Sequence, residues 1–256
     1  MDIRRGTWLR KRMSVRKTDE RQGVEYPLEE MLRELMAVQD DMTWALHYIF
    51  PADPVAGAIP EEHAARLCRE ACLCGRGQAQ EVKRRFGEAG LGEICHAEKI
   101  HVSWDLEDEA VGSVRFAEYI EPSQIRINRT CAERAERLLQ ELGEKQELGE
   151  VLEPGKEQEL KKHRISDVLL AHEYYHCLEY RNPGLFTVAY RQKTGRAALF
   201  GPARLLALRE IGAGAFAAEL LGYSYHSSVY DVLLMYCVSP EKACKLYERM
   251  RGVLLG

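Results

Sequence analysis

The chain has 256 residues, 46% of them hydrophobic and 30% charged, with a formal net charge of −4. That is apolar material enough for one large domain or two small ones without stapling, and no global positive field invites nucleic acid. No stretch nears the roughly eighteen consecutive apolar residues that cross a bilayer, and the amino terminus lacks a secretory apolar run, so the expectation is a cytoplasmic protein without membrane contact.

Residues 1–23 crowd Arg4, Arg5, Arg10, Lys11, Arg12, Arg16 and Lys17 among polar neighbours and read as a flexible basic arm carrying Trp8. From Tyr26 to Phe50, Leu32, Leu35, Met36, Met42 and Leu46 recur at three- and four-residue steps, which predicts one amphipathic helix. PADPVAGAIP ends it. Pro60 suits the first residue of a second helix that runs to Phe86 and stops at the glycines of GEAGLGE, so 24–90 reads as an N-terminal helical region. Cys68, Cys72 and Cys74 on that helix lack the C-x-x-C spacing of structural zinc sites. With no export signal, all eight cysteines are expected to stay reduced.

Between Ile94 and Arg129 the pattern changes to IHVSW, SVRFAEYI and QIRIN, short β-branched and aromatic segments separated by DLEDE and EPS. They predict a small, mostly antiparallel sheet. A helix is expected from Cys131 to Leu142. After it comes a charged run in which Gln-Glu-Leu-Gly-Glu occurs twice, too short a repeat for a solenoid, so residues 143–163 read as an exposed loop.

The segment Ser166–Asn182, SDVLLAHEYYHCLEYRN, reads as a helix capped by Ser166 or Asp167 and stopped by Pro183-Gly184. His172 and His176 are four residues apart, so their imidazoles leave one face on successive turns and can share one Zn²⁺. Glu173 beside them can serve as general base to a zinc-activated water. Ala171, Tyr174, Tyr175, Cys177 and Leu178 are uncharged, as a buried metal helix requires. Glu179 shares the zinc face. It reads either as a support for the site or as a solvent carboxylate paired with Arg181 or a nearby lysine.

A third protein ligand is needed for catalysis, and the helix expected from Gly201-Pro202 to Gly222 offers one. Leu206, Glu210, Ala213, Ala217 and Leu220 form one stripe in which Glu210 alone is charged. A carboxylate on an apolar face is costly unless paired or metal-bound. Glu219 lies half a turn out of phase and is discounted. Just beyond, Tyr223, Tyr225 and His226 are candidate donors to the oxyanion of a tetrahedral intermediate, with His226 favoured; ordinary packing is the competing reading. His47, His63, His96, His101 and His163 are assigned no chemistry, and Trp44 and Trp104 are read as packing residues.

H-E-x-x-H followed by E-x-x-A-x-x-F-A resembles the gluzincin zinc metallopeptidases, and EIGAGAFAAELL is locally similar to the ImmA/IrrE family. The resemblance implies His172, His176 and Glu210 as ligands to one zinc per chain and Glu173 as catalytic base. It also implies a sheet whose edge strand aligns the substrate. In that family Asn or Asp, four residues after the ligand glutamate, orients a zinc histidine; this chain has Gly214 there. A metzincin is excluded, because Glu179 and Asn182 occupy the positions of its glycine and third histidine.

These observations predict an α+β chain whose residues 91–256 form a zincin-like metallopeptidase domain. It would hydrolyse peptide bonds in a peptide or protein substrate, without nucleic acid and in an oligomeric state left open. The alternative is a catalytically silent zinc-binding regulator or sensor with the same fold.

Overall fold

The computed structural model describes residues 26–106, 115–144, 162–193 and 201–254. The basic arm, most of the 143–163 loop and the second copy of the five-residue repeat lie outside them. The architecture is α+β, as expected. Helix α1 (Leu28–Ala37) is followed by a short α2 (Asp41–Thr43), the long α3 (Glu61–Phe86) and α4 (Leu91–Ala97). Strands β1 (His101–Ser103), β2 (Ala117–Ile120) and β3 (Gln124–Ile127) come next. Helices α5 (Arg129–Glu144), α6 (Ile165–Arg181), α7 (Phe186–Ala189), α8 (Leu206–Leu221), α9 (Val229–Val238) and α10 (Pro240–Leu254) complete the described chain.

The single helix expected over 26–50 is broken. The Asp40 carboxylate accepts the backbone N–H groups of Met42 and Thr43, both at 3.1 Å, and so starts a new helix where the apolar period alone would continue the old one. The chain then runs from α2 into a π-helical turn, Trp44–Ile49. Trp44 Nε1 donates to Val38 O at 2.7 Å and ties this turn back to the end of α1.

Helix α3 carries Glu61 and Glu62 in its first turn and Lys83, Arg84 and Arg85 in its last, matching the helix dipole. Helix α5 extends through the first copy of the repeat to Glu144, which the loop reading had excluded. Helix α6 begins at Ile165 without a cap from Ser166 or Asp167; instead Glu136 of α5 accepts the Ser166 N–H at 3.4 Å. Helix α8 starts five residues later than expected. Residues before it are held extended by an antiparallel bridge between Gln192 and Ala203, and Asp53 accepts the Ala207 N–H at 3.0 Å. Gly222, at φ 75°, closes α8 in the left-handed region that glycine adopts without strain.

The sheet order is β1-β3-β2. Tyr119 of β2 pairs with Ile125 antiparallel, whereas Val102 of β1 pairs with Ile125 parallel, so the sheet is mixed and not mostly antiparallel. The connection 104–116 is long enough to bypass one strand position, which β3 then fills. Helix α6 packs against β2 and β3 and against α8, and α3 lies along α8. The α3–α8 approach is backbone to backbone: a Cβ on Gly75 would stand 2.1 Å from the Gly212 carbonyl oxygen. One continuous cluster of buried apolar side chains runs from Leu28 of α1 to Met250 of α10. The site helices α6 and α8 cross its middle, which fixes both relative to each other.

Candidate metal centre

Helix α6 lays His172, Glu173 and His176 on its inner face, and α8 brings Glu210 opposite them. The ligand atoms of His172, His176 and Glu210 all lie within 4.8 Å of one another, and they form the one such group found among the described residues. His172 Nε2 is 3.2 Å from one Glu210 oxygen and His176 Nε2 is 3.7 Å from the other. Donors bound to one zinc at about 2.0–2.1 Å stand about 3.3 Å apart in a tetrahedron. Two further atoms bear on the fit: His176 Nε2 and Glu173 Oε2 are buried with no hydrogen-bond partner among the described residues. Such orphans are costly; a cation held by His172, His176 and Glu210 would give His176 Nε2 its partner, and a water beside that cation would give Glu173 Oε2 one. Two imidazoles and a carboxylate are a zinc donor set.

His176 is held from behind. Its Nδ1 is 2.9 Å from Glu179 Oε2, which leaves the Nε2 lone pair facing Glu210. Glu179 is itself buried, and it also accepts from Arg209 Nε at 2.7 Å and from the Thr187 hydroxyl at 2.6 Å. Burial would raise the Glu179 pKa, but the hydrogen bond and charge of His176, then Arg209 and Thr187, outweigh it and hold the carboxylate below its usual range. Arg181 pairs with Glu98 instead, so Glu179 supports the site and is not a solvent carboxylate. Spacing of three along α6 made Glu179 visible beside His176. Nothing local pointed to Arg209 or Thr187, which arrive from α8 and α7.

Glu173 is 1% exposed. Desolvation pushes its pKa up, opposed by His176, His172 and the backbone amide of Tyr119 in β2, while Glu210 adds to the rise. A carboxylate tuned upward is a stronger base toward water than an ordinary surface carboxylate. His172 keeps a quarter of its side chain open at 25%. Desolvation lowers its pKa, but the hydrogen bond and charge of Glu210 outweigh this and push it up to about 9 when no metal shares the pair.

A cleft of about 60 Å³ opens on these groups, lined among others by His172, Glu173, Glu210, His226 and Asp231. His226 thus reaches the site. Its Nδ1 accepts the Ser228 N–H at 3.1 Å, so the neutral ring carries its proton on Nε2. Burial, with His172 adding to it against Asp41, lowers its pKa to about 4. Trp44 stacks on the ring at 5.1 Å, a contact between distant segments that no local pattern announced. A side chain at Gly214 would meet Ser227 Oγ at 3.0 Å and His226 Nε2 at 3.5 Å. The place an Asn or Asp would take is therefore occupied by the chain that carries His226.

The remaining candidates fall away from the cleft. Tyr223 and Tyr225 are buried and stacked on each other at 5.0 Å, in line with the packing reading. Glu219 lies beside α3, where Lys83 reaches its carbonyl at 2.5 Å. Cys68 and Cys72 are free, buried thiols whose pKa desolvation pushes up to about 12, which disfavours the thiolate that a metal needs. No helix among the described residues is long and apolar enough to cross a membrane. Comparison with protein-family models, curated proteins and solved structures finds no match to this chain.

Proposed function

We propose that the chain is a zinc-dependent metallopeptidase of gluzincin type that hydrolyses peptide bonds in a cytoplasmic peptide or protein substrate. The observation that carries this reading is the convergence of His172, His176 and Glu210 at the cleft that Glu173 lines, the buried Glu173 Oε2 having no hydrogen-bond partner among the described residues. The two histidines and Glu210 would hold one zinc, which when bound polarises a carbonyl and lowers the pKa of water.

The protein groups have separate tasks. Glu173, with its raised proton affinity, takes a proton from the attacking water and returns it to the leaving amine. His226 offers a neutral Nε2–H to the oxyanion that develops on the scissile carbonyl. Glu179 and Arg209 keep His176 aimed. Burial excludes bulk water from the base and strengthens each of these interactions. A purely structural site has no use for a buried carboxylate beside its ligands, which is why the silent regulator ranks second.

The test is cleavage of casein and of a peptide library by zinc-loaded wild type and Glu173→Gln. Loss of a general base predicts a rate fall of about 1000-fold in the variant with its zinc retained. Wild type that holds zinc and cuts nothing would move the assignment to the silent regulator.

A further inference from the structure

The Glu179–Arg209 pair also lines a second cavity, of about 240 Å³, distinct from the metal cleft. Its apolar wall includes Tyr180 and Leu206, which are 46% and 52% exposed. Two of the seven exposed large hydrophobic side chains among the described residues, Tyr180 and Leu206, therefore stand in the wall of one cavity. Exposed apolar groups around a cavity are a signature of ligand contact.

Inside, the charges are unevenly used. Glu179 is satisfied by His176, Thr187 and Arg209. Arg209 spends only its Nε on that pair, and its two terminal nitrogens meet no acceptor among the described residues. Arg204, also on the lining, has no carboxylate or carbonyl partner among them. Two guanidinium groups with open N–H forks are suited to a carboxylate. Glu121 carries the opposing charge; it and Arg204 both stand exposed, where water screens them alike, whereas Arg209 is 23% exposed and less screened.

The cavity is also in register with the proposed chemistry. Glu179 links it to His176 through one hydrogen bond, and Arg209 directly precedes Glu210. Glu121, the first residue of the turn that follows β2, lies two residues beyond Tyr119, whose amide acts on Glu173. A peptide extended along β2 past Glu173 would therefore present a residue next to the cleaved bond toward the end of the strand, where Glu121 lines the cavity.

The geometry points to a substrate subsite that takes a carboxylate, its stem against Tyr180 and Leu206 and its oxygens against Arg209 and Arg204. This rests on the peptidase reading and narrows it to substrates with an acidic side chain or a free C-terminus near the cleaved bond. The shared chemistry is the carboxylate, and the two sources are separable.

The experiment is calorimetric titration of zinc-loaded Glu173→Gln, which binds without turnover, with acetylated peptides. The set differs only by Glu against Gln at each position and by free acid against amide at the C-terminus. The subsite predicts that one carboxylate raises affinity about 10-fold over its amide partner, with the gain lost in the added Arg204→Gln change and reduced in Arg209→Lys. The position of the effective carboxylate tells side chain from terminus. Equal binding across the set, no binding by any acidic member, or a preference untouched by both arginine changes overturns it. Acid-selective binding by a protein whose wild type cuts nothing sinks the peptidase reading and leaves the subsite, whereas cleavage indifferent to Glu or Gln and to acid or amide sinks the subsite alone.

Discussion

Glu179 accepts a hydrogen bond from Nδ1 of His176 at 2.9 Å, and both side chains are almost wholly buried, at 1% and 0% exposed. A ligand imidazole fixed in this way pays less to be ordered around a metal. Glu179→Gln is expected to weaken zinc about 10-fold or more. Glu179→Ala should also destabilise the fold by about 3 kcal/mol, because Arg209, at a mostly buried position, loses the one carboxylate it pairs with among the described residues. Chelator competition and thermal melting on the two variants read these effects separately.

The metal-free protein should be pH-sensitive on both sides of neutrality. His172 has its pKa raised from 6.5 to about 9, so its contribution is full below about 6.5 and is lost as pH rises through 9. His226 has its pKa lowered from 6.5 to about 4, so its contribution is full above 6.5 and is lost as pH falls toward 4. Urea titrations across this range should show both slopes, the first absent in His172→Gln and the second in His226→Gln. Zinc binding near pH 7.5 should release a proton from His172, seen as a buffer-dependent heat.

Gly75→Ala is expected to cost about 3 kcal/mol, since the new methyl would stand 2.1 Å from the Gly212 carbonyl oxygen and must push α3 away from α8. Gly212 is two residues from Glu210, so the same change should weaken zinc. An exposed control such as Gly77→Ala, where nothing lies within 4 Å, should be neutral or slightly stabilising. Chemical denaturation of the pair distinguishes a packing effect from helix propensity.

His226→Ala should leave zinc content unchanged and lower kcat about 100-fold, the loss expected for one oxyanion donor. A drop in KM-dependent terms alone would assign the residue to ground-state binding. Stopped assays on a cleavable library peptide, with zinc measured on the same sample, decide between them.

What could be read from the chain follows from what is local in it. His172, His176 and Glu173 share a turn of one helix, so spacing alone placed them together, and Glu210 stood out as a charge on an apolar stripe. The stripe itself was overextended, since Leu206 is 52% exposed at the true start of α8. The helix break at Asp40 was hidden because Met42 and Leu46 keep the apolar period across it, while the capping carboxylate decides the geometry. Strand direction leaves no mark on residue pattern, so the parallel pairing of Val102 with Ile125 emerged only in three dimensions. The same holds for Trp44 against His226 and for Arg209 against Glu179, contacts made between elements far apart in the chain.

Whether Glu210 completes a zinc site is decided by elemental analysis of purified wild type, Glu173→Gln and Glu210→Ala. One zinc per chain is expected in wild type and in Glu173→Gln and little in Glu210→Ala; full zinc in Glu210→Ala, or none in wild type prepared with zinc, would rule out Glu210 as the third ligand.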